Sequence, residues 1–218
     1  MSTNGISKST LQRLPAYLTY LKSLPPESPA NISATAMAQA LGLGEVQVRK
    51  DLAAVTSGGK PKVGYIITDL TRELEQFLGY NDVSEAIVVG CGKLGRALLD
   101  YRGFSQYGLE LVAGFDANPA LAGMTAHGKE IFPLNKLSNL CGRMHIRLGV
   151  IAVPAEQAQP VCDMLVECGV RGILNLAPVH LNTPHGVVVE NENIAVALAA
   201  VAGRLETQER FDTPGRAE

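Results

Sequence analysis

From residue 84 onward the chain alternates short apolar runs with segments of helix length, and this alternation constrains the fold more than any other feature. The runs are EAIVVG, LELVAGFD, RLGVIAVP, RGILNLAP and GVVVEN, with helices expected from Leu94, near 134–141 and from Ala155. A strand that is apolar at successive positions has no solvated face, so it needs cover on both sides, which crossover helices on a parallel sheet supply. The expected fold class is therefore α/β, with a doubly wound parallel sheet. A last helix, 193–210, carries Ile194, Leu198, Val201 and Leu205 at i, i+4, i+7 and i+11, an apolar stripe that requires a surface to cover it. The end, FDTPGRAE at 211–218, is expected to be a flexible tail.

The first run leads into IVVGCGKLGRALLDY. Gly90, Gly92 and Gly95 fit G-x-G-x-x-G between a strand and a helix. The first glycine serves the turn, the second the close approach of a pyrophosphate, and the third the packing of helix on strand. Cys91, Lys93 and Leu94 fill the loop, whose backbone N–H groups and helix dipole form an anion site without any catalytic residue. Asp116 ends the next strand 21 positions after Gly95, where a carboxylate accepts hydrogen bonds from ribose hydroxyls. It favours NAD(H) over NADP(H), because a 2′-phosphate beside a carboxylate meets like-charge repulsion.

About eighty residues precede this loop. Leu11, Leu14, Leu18 and Leu21 set a helical period over 9–24, complicated at its start by Pro15 and stopped by PPESP. Ser33 is the expected N-cap of a second helix, and Gly42-Leu43-Gly44 turns tightly into a third, EVQVRKDLAAV. That arrangement is a helix-turn-helix. In the third helix Val48, Leu52 and Val55 are expected inward, with Gln47, Lys50, Asp51 and Ala54 outward and Arg49 at the flank. Polar tips for bases and positive charge for phosphates are what a helix in a major groove needs. SGGKPKVGYIITDL then reads as a two-stranded wing with Lys60 and Lys62 at a basic tip. A polar linker helix over 69–79 follows, with Leu70, Leu74, Phe77 and Leu78 on one side, and the domain boundary falls near residue 80. The charge distribution agrees: residues 1–80 hold eight Lys/Arg against six Asp/Glu, and 81–218 hold eleven against fifteen.

No run approaches the ~20 apolar residues of a membrane span, and MSTNGISKST lacks the apolar core of a secretory signal. A cytoplasmic location is expected. Cys91, Cys141, Cys162 and Cys168 form no C-x-x-C pair, and His180 and His185 share a loop without a third ligand, so neither disulfide nor metal is expected. All four cysteines are expected as reduced packing residues, with a reactive thiol at Cys91, inside the glycine loop near a helix N-terminus, as the alternative.

With these residues in view, the chain resembles the Rex family of redox-sensing transcriptional repressors over nearly its whole length. The resemblance is carried by RLPAYLTYL, VRKDL, GK followed by VGY, GCGKLGRALLDYRGF, FDANP and VPAEQAQPVCDMLVECGVRGILNLAP. It implies a winged-helix DNA-binding domain (1–80), a Rossmann NAD(H)-binding domain (81–192) and a dimerisation helix (193–210) exchanged with a second copy. It implies that a homodimer binds palindromic double-stranded operators of respiratory or fermentative genes, that NADH releases it, and that NAD+ competes less effectively. It also implies Tyr101 beside the nicotinamide, with Pro154 and Asn193 completing the cofactor site. For DNA it implies contacts from Gln47, Arg49 and Lys50 on the third helix, and from Lys60, Lys62 and Tyr65 on the wing. Two departures stand out. Arg13 matches an arginine that in the family pairs with an aspartate near the start of the last helix, and Asn193 takes that aspartate's place. The family's aromatic-rich end is replaced by AAVAGRLETQER.

The residues alone leave two other functions open. One is an NAD-dependent oxidoreductase, although little chain remains for a substrate domain and only Tyr101 offers itself as an acid or base. The other is a CoA- or nucleotide-binding module of the succinyl-CoA synthetase type, to which VECGVRGILNLAP is similar and which leaves the basic helix and wing unexplained. The sensor-repressor has no catalytic residue, no metal and no membrane partner.

Overall fold

In a computed structural model of the chain, residues 6–124 and 128–212 are described. The chain divides into two compact units between Val83 and Ser84.

In the first unit, α1 (Lys8–Ser23) starts at Ser7, whose hydroxyl accepts from Thr10 N at 3.1 Å. Leu14, Tyr17, Leu18 and Leu21 bury one face of α1. Pro15 lies well inside α1 rather than at its start, and the Thr19 hydroxyl donates to the Pro15 carbonyl at 2.9 Å. Strand β1 (Asn31–Ile32) precedes α2 (Ala34–Leu41), which Ser33 caps by accepting from Ala36 N at 3.0 Å. Gly42 then takes φ 64°, a left-handed conformation that costs glycine nothing, and the chain turns into α3 (Glu45–Ala53). Val48 and Leu52 of α3 are fully buried against α1 and α2, and Val55 packs on the same core.

The wing is smaller than expected. Lys60 and Gly64 form a single antiparallel bridge with two hydrogen bonds of 2.9 Å, and Lys62 sits at the tip with φ 64°. Strand β2 (Tyr65–Ile66) pairs back to β1, with Asn31 opposite Ile66 and Ile32 opposite Tyr65. Helix α4 (Ile67–Leu78) begins two residues before the expected 69, because Leu70 and Leu74 enter the core at helical spacing and burial overrides the β-propensity of Ile67. Its expected apolar side, Leu70, Leu74, Phe77 and Leu78, packs into the first unit's core, so the helix is part of that unit rather than a linker.

The second unit consists of β3 (Ser84–Val89), α5 (Lys93–Asp100), β4 (Leu109–Asp116), β5 (Gly123–Met124), β6 (Glu130–Pro133), α6 (Leu137–Met144), β7 (Leu148–Ile151), α7 (Ala155–Glu167), β8 (Gly172–Asn175), β9 (Val188–Asn191) and α8 (Ile194–Asp212). The sheet order is β5-β6-β4-β3-β7-β8-β9, all parallel except β5 against β6. Without β5, the parallel strands run third, second, first, fourth, fifth, sixth, the order of dinucleotide-binding sheets. Strands β5 and β6 were not expected, since GMTAHGKEIFP offers too short an apolar run to signal either. Alternate residues of β3 bury on opposite faces: Ile87 and Val89 join α6 and α7, while Ala86 and Val88 join Leu99 of α5. The helix expected over 193–210 extends to Asp212, and residues 213–218 of the expected tail lie outside the described residues.

Candidate functional site

The order of the sheet reverses between β3 and β7, and ligands of such sheets bind at the carboxyl ends of the strands flanking that reversal. Gly90 lies there. It is buried with φ 96°, and a β-carbon on it would stand 2.5 Å from the Ala152 carbonyl oxygen at the end of β7. A β-carbon on Gly95 would run into the Gly90 carbonyl, so the first turn of α5 is pressed directly on the loop. Gly92 is the N-cap of α5 and a β-carbon there would meet nothing within 4 Å, leaving the approach to the helix N-terminus open. Such a terminus, with backbone N–H groups and the positive end of the helix dipole, has the chemistry of an anion cradle.

Asp116 closes this cradle from β4. Its Oδ2 accepts from Cys91 N at 2.7 Å and its Oδ1 from Asn118 N at 2.8 Å. The carboxylate therefore holds the glycine loop to the turn after β4 and keeps lone pairs for further donors. Lys93 and Leu94, in the first turn of α5, are exposed, as is Pro154, the N-cap of α7. Tyr101 caps the other end of α5 and is 60 % exposed, its ring edge-on to Phe104 at 5.2 Å and lying over Gly103. Asn193 caps α8, its Oδ1 accepting from Val196 N at 3.1 Å.

Cys91 is a packing residue, as expected for the four cysteines, and not the alternative reactive thiol. It is fully buried, with Sγ 3.5 Å from the Phe115 carbonyl. Burial, and then the charge of Asp116, pushes the thiol up to about 12, so it stays protonated and unreactive at neutral pH. Among the described residues no three or more His, Cys, Asp or Glu side chains gather to hold a metal ion, and no helix is long and apolar enough to cross a membrane.

In the first unit, Gln47, Arg49 and Lys50 are exposed on α3, and Arg49 pairs with Glu45 one turn earlier. That exposed pair is worth little by itself, so the guanidinium stays available to an anion. Lys60 and Lys62 are exposed on the wing. Tyr65 departs from the expectation of a side chain presented to DNA. It is only 9 % exposed, part of the core, and its ring covers Gly59, where a β-carbon would stand 2.8 Å from it. Its apolar ring is worth more under the wing than in water.

Asp51 also departs from expectation. Placed outward by helical spacing, it is instead 4 % exposed and points at α1. Thr10 Oγ1 donates to its Oδ1 at 3.0 Å and Tyr17 OH to its Oδ2 at 2.7 Å. Arg13 grips both oxygens, Nε to Oδ2 at 2.7 Å and Nη2 to Oδ1 at 2.9 Å. Burial alone would raise the carboxyl, but the bonds from Arg13, Tyr17 and Thr10 outweigh it and hold Asp51 below the usual carboxylate range. Burial and the bond to Asp51 push Tyr17 up to about 12. The signal was present in the sequence: Thr10, Arg13 and Tyr17 are spaced 3 and 4 apart, so they share one face of α1.

Two family models match the chain, a putative DNA-binding protein N-terminus over residues 5–53 and a CoA binding domain over 81–179. The redox-sensing transcriptional repressor Rex of Porphyromonas gingivalis is 34% identical over 202 residues, 93% of each chain. The Desulforamulus reducens repressor of the same name is 36% identical over 210 residues, 96% of this chain and all of that one. Among solved structures, RSP in complex with β-NAD+ and operator DNA superposes with a TM-score of 0.87 at 30% identity, covering 94% of this chain and 95% of that one.

Proposed function

The chain belongs to the Rex family of redox-sensing transcriptional repressors, and from that premise we propose that it is a cytoplasmic, non-enzymatic repressor that binds a palindromic operator as a homodimer and leaves it when NADH binds. The observation that carries this is the pairing, in one chain, of a helix-turn-helix unit with a glycine loop at the N-terminus of α5 that Asp116 binds from β4. RSP, 30% identical, was solved with β-NAD+ and operator DNA together.

The proposed division of labour follows the two units. Residues 1–80 make the output: Gln47, Arg49 and Lys50 enter the major groove, and Lys60 and Lys62 hold phosphates from the wing, with Tyr65 shaping its base. Residues 81–192 make the input: the loop Gly90 to Gly95 takes the pyrophosphate, Asp116 the adenosine ribose, and Tyr101, Pro154 and Asn193 the nicotinamide end. The bound nucleotide supplies no chemistry to a substrate; it supplies differential affinity for two quaternary states. By linkage, if NADH weakens operator binding, operator weakens NADH binding by the same factor. Residues 193–210 serve dimerisation. Ile194, Leu198, Val201 and Leu205 are each more than half exposed in the single chain, an apolar face that a second copy would cover.

The test is anisotropy of a labelled palindromic duplex, selected by the protein from a random-sequence pool, titrated at fixed salt with NADH, NAD+ and coenzyme A. Release by NADH well below the NAD+ concentration is expected. Release by coenzyme A alone would favour the nucleotide-module reading, and turnover of NADH with small carbonyl compounds would favour an oxidoreductase.

A further inference from the structure

Among the described residues Asp51 is the only buried charged side chain, and it sits on α3 directly between Lys50, which is exposed, and Leu52, which is fully buried. The carboxylate receives four hydrogen bonds, all from one stripe of α1: Thr10, Arg13 and Tyr17. Elsewhere α3 packs most closely on α2, and α1 on α4. Between the N-terminal turn of α1 and the outer side of α3 lies an open cleft of about 630 Å³, lined by Thr10, Arg13, Gln47, Lys50, Asp51 and Ala54 among others. The outer side of α3 is thus not held by apolar packing on α1. Val48 and Leu52 fix its depth, while on the cleft side, where Ile6, Val46 and Ala54 line open space, the hydrogen bonds to Asp51 tie α3 to α1.

We propose that Asp51 is a positioning residue for operator recognition: its two-pronged grip by Arg13, with Thr10 and Tyr17, sets the rotation of α3 so that Gln47 and Lys50 meet base edges in register. This rests on the DNA-binding reading of α3. The physical basis is geometric. A guanidinium fork and a carboxylate lie in one plane when both prongs engage, so the pair defines an orientation as well as a distance, which apolar contacts do not. Base readout tolerates little error in orientation, because discrimination depends on paired hydrogen bonds to one base edge. Phosphate contacts tolerate more, since they are point-charge attractions with no sequence content.

The two contact types separate a positioning role from a merely structural one. The experiment measures affinity for the selected palindromic duplex and for a scrambled duplex of equal length over a salt series, with a thermal melt and NADH titration of each variant. Asp51→Asn keeps the shape and loses the charge. The ratio of selected to scrambled affinity is expected to fall roughly tenfold or more, while the scrambled affinity, its salt slope and NADH binding stay as in the wild type. Arg13→Lys keeps the cation but replaces the fork by a point charge. It is expected to lose the ratio too, with a smaller change in melting temperature. An unchanged ratio in Asp51→Asn overturns the proposal, as does a proportional loss on both duplexes with a collapsed melt. Should Asp51→Asn not fold, an unchanged ratio in Arg13→Lys overturns it. If the wild type itself does not discriminate the two duplexes, the DNA-binding reading fails, and the proposal with it.

Discussion

Replacing Asp116 by alanine removes a carboxylate that hydrogen-bonds the glycine loop from the end of β4. In the free protein it accepts two backbone hydrogen bonds, from Cys91 N and Asn118 N, at 2.7 and 2.8 Å. In the nucleotide complex it would in addition accept the ribose hydroxyls. A hydrogen bond to a charged group contributes about 1.5–3 kcal/mol. Asp116 is half-buried, so the lower figure applies. Two ribose bonds at that value amount to roughly 3 kcal/mol, or about two orders of magnitude in Kd. Release of the loop adjoining Cys91 acts in the same direction. The assay is a titration of NADH fluorescence with wild type and variant, alongside operator binding without nucleotide. Operator affinity is expected to be unchanged. An NADH Kd within about threefold of wild type would refute the assignment of Asp116 to the ribose, since the loss of two charged bonds must exceed that. The same variant should narrow the preference for NADH over NADPH, because the like charge facing a 2′-phosphate is gone.

Gly95→Ala should lose NADH binding and lower the thermal midpoint together, because the new methyl group would run into the Gly90 backbone carbonyl and press on Val88; unaltered NADH titration would contradict the pressed helix-on-loop geometry. Native-state alkylation with a maleimide should label Cys168, which is half-exposed, and spare the buried Cys91, Cys141 and Cys162, read by mass spectrometry. Labelling of Cys91 as fast as Cys168 would mean that the loop opens. Acid should weaken the first unit through Asp51. Its folded value lies below the ordinary carboxylate value of about 3.9, so its contribution is full above that pH and is lost as pH falls through the folded value. Wild type should therefore lose more stability than Asp51→Asn between about pH 5 and pH 2, followed by circular dichroism; parallel losses would contradict the charged pair.

Those tests divide along the line between what local sequence dictates and what folding adds. The glycine loop, the alternation of buried strands and helices, the Ser33 cap and the Gly42 turn were all legible, because each depends on residues within a few positions of one another. Helical periodicity also found Val48 and Leu52. It misplaced Asp51, because one turn of helix cannot show that a carboxylate on α3 will find Thr10, Arg13 and Tyr17 some forty positions earlier. The burial of the Tyr65 ring is hidden for the same reason: a tyrosine next to lysines is ambiguous until the wing folds its ring over Gly59.

The sequence by itself determined the two chemistries of this protein, since an anion cradle and a basic helix are written in contiguous residues and their local geometry. Only the tertiary structure decided which polar groups are spent internally. It decided between the packing and the reactive reading of Cys91 in favour of an inert core thiol, and made Asp51, read as a surface acid, the anchor of α3, because burial and the choice of hydrogen-bond partner are set by segments far apart in the chain.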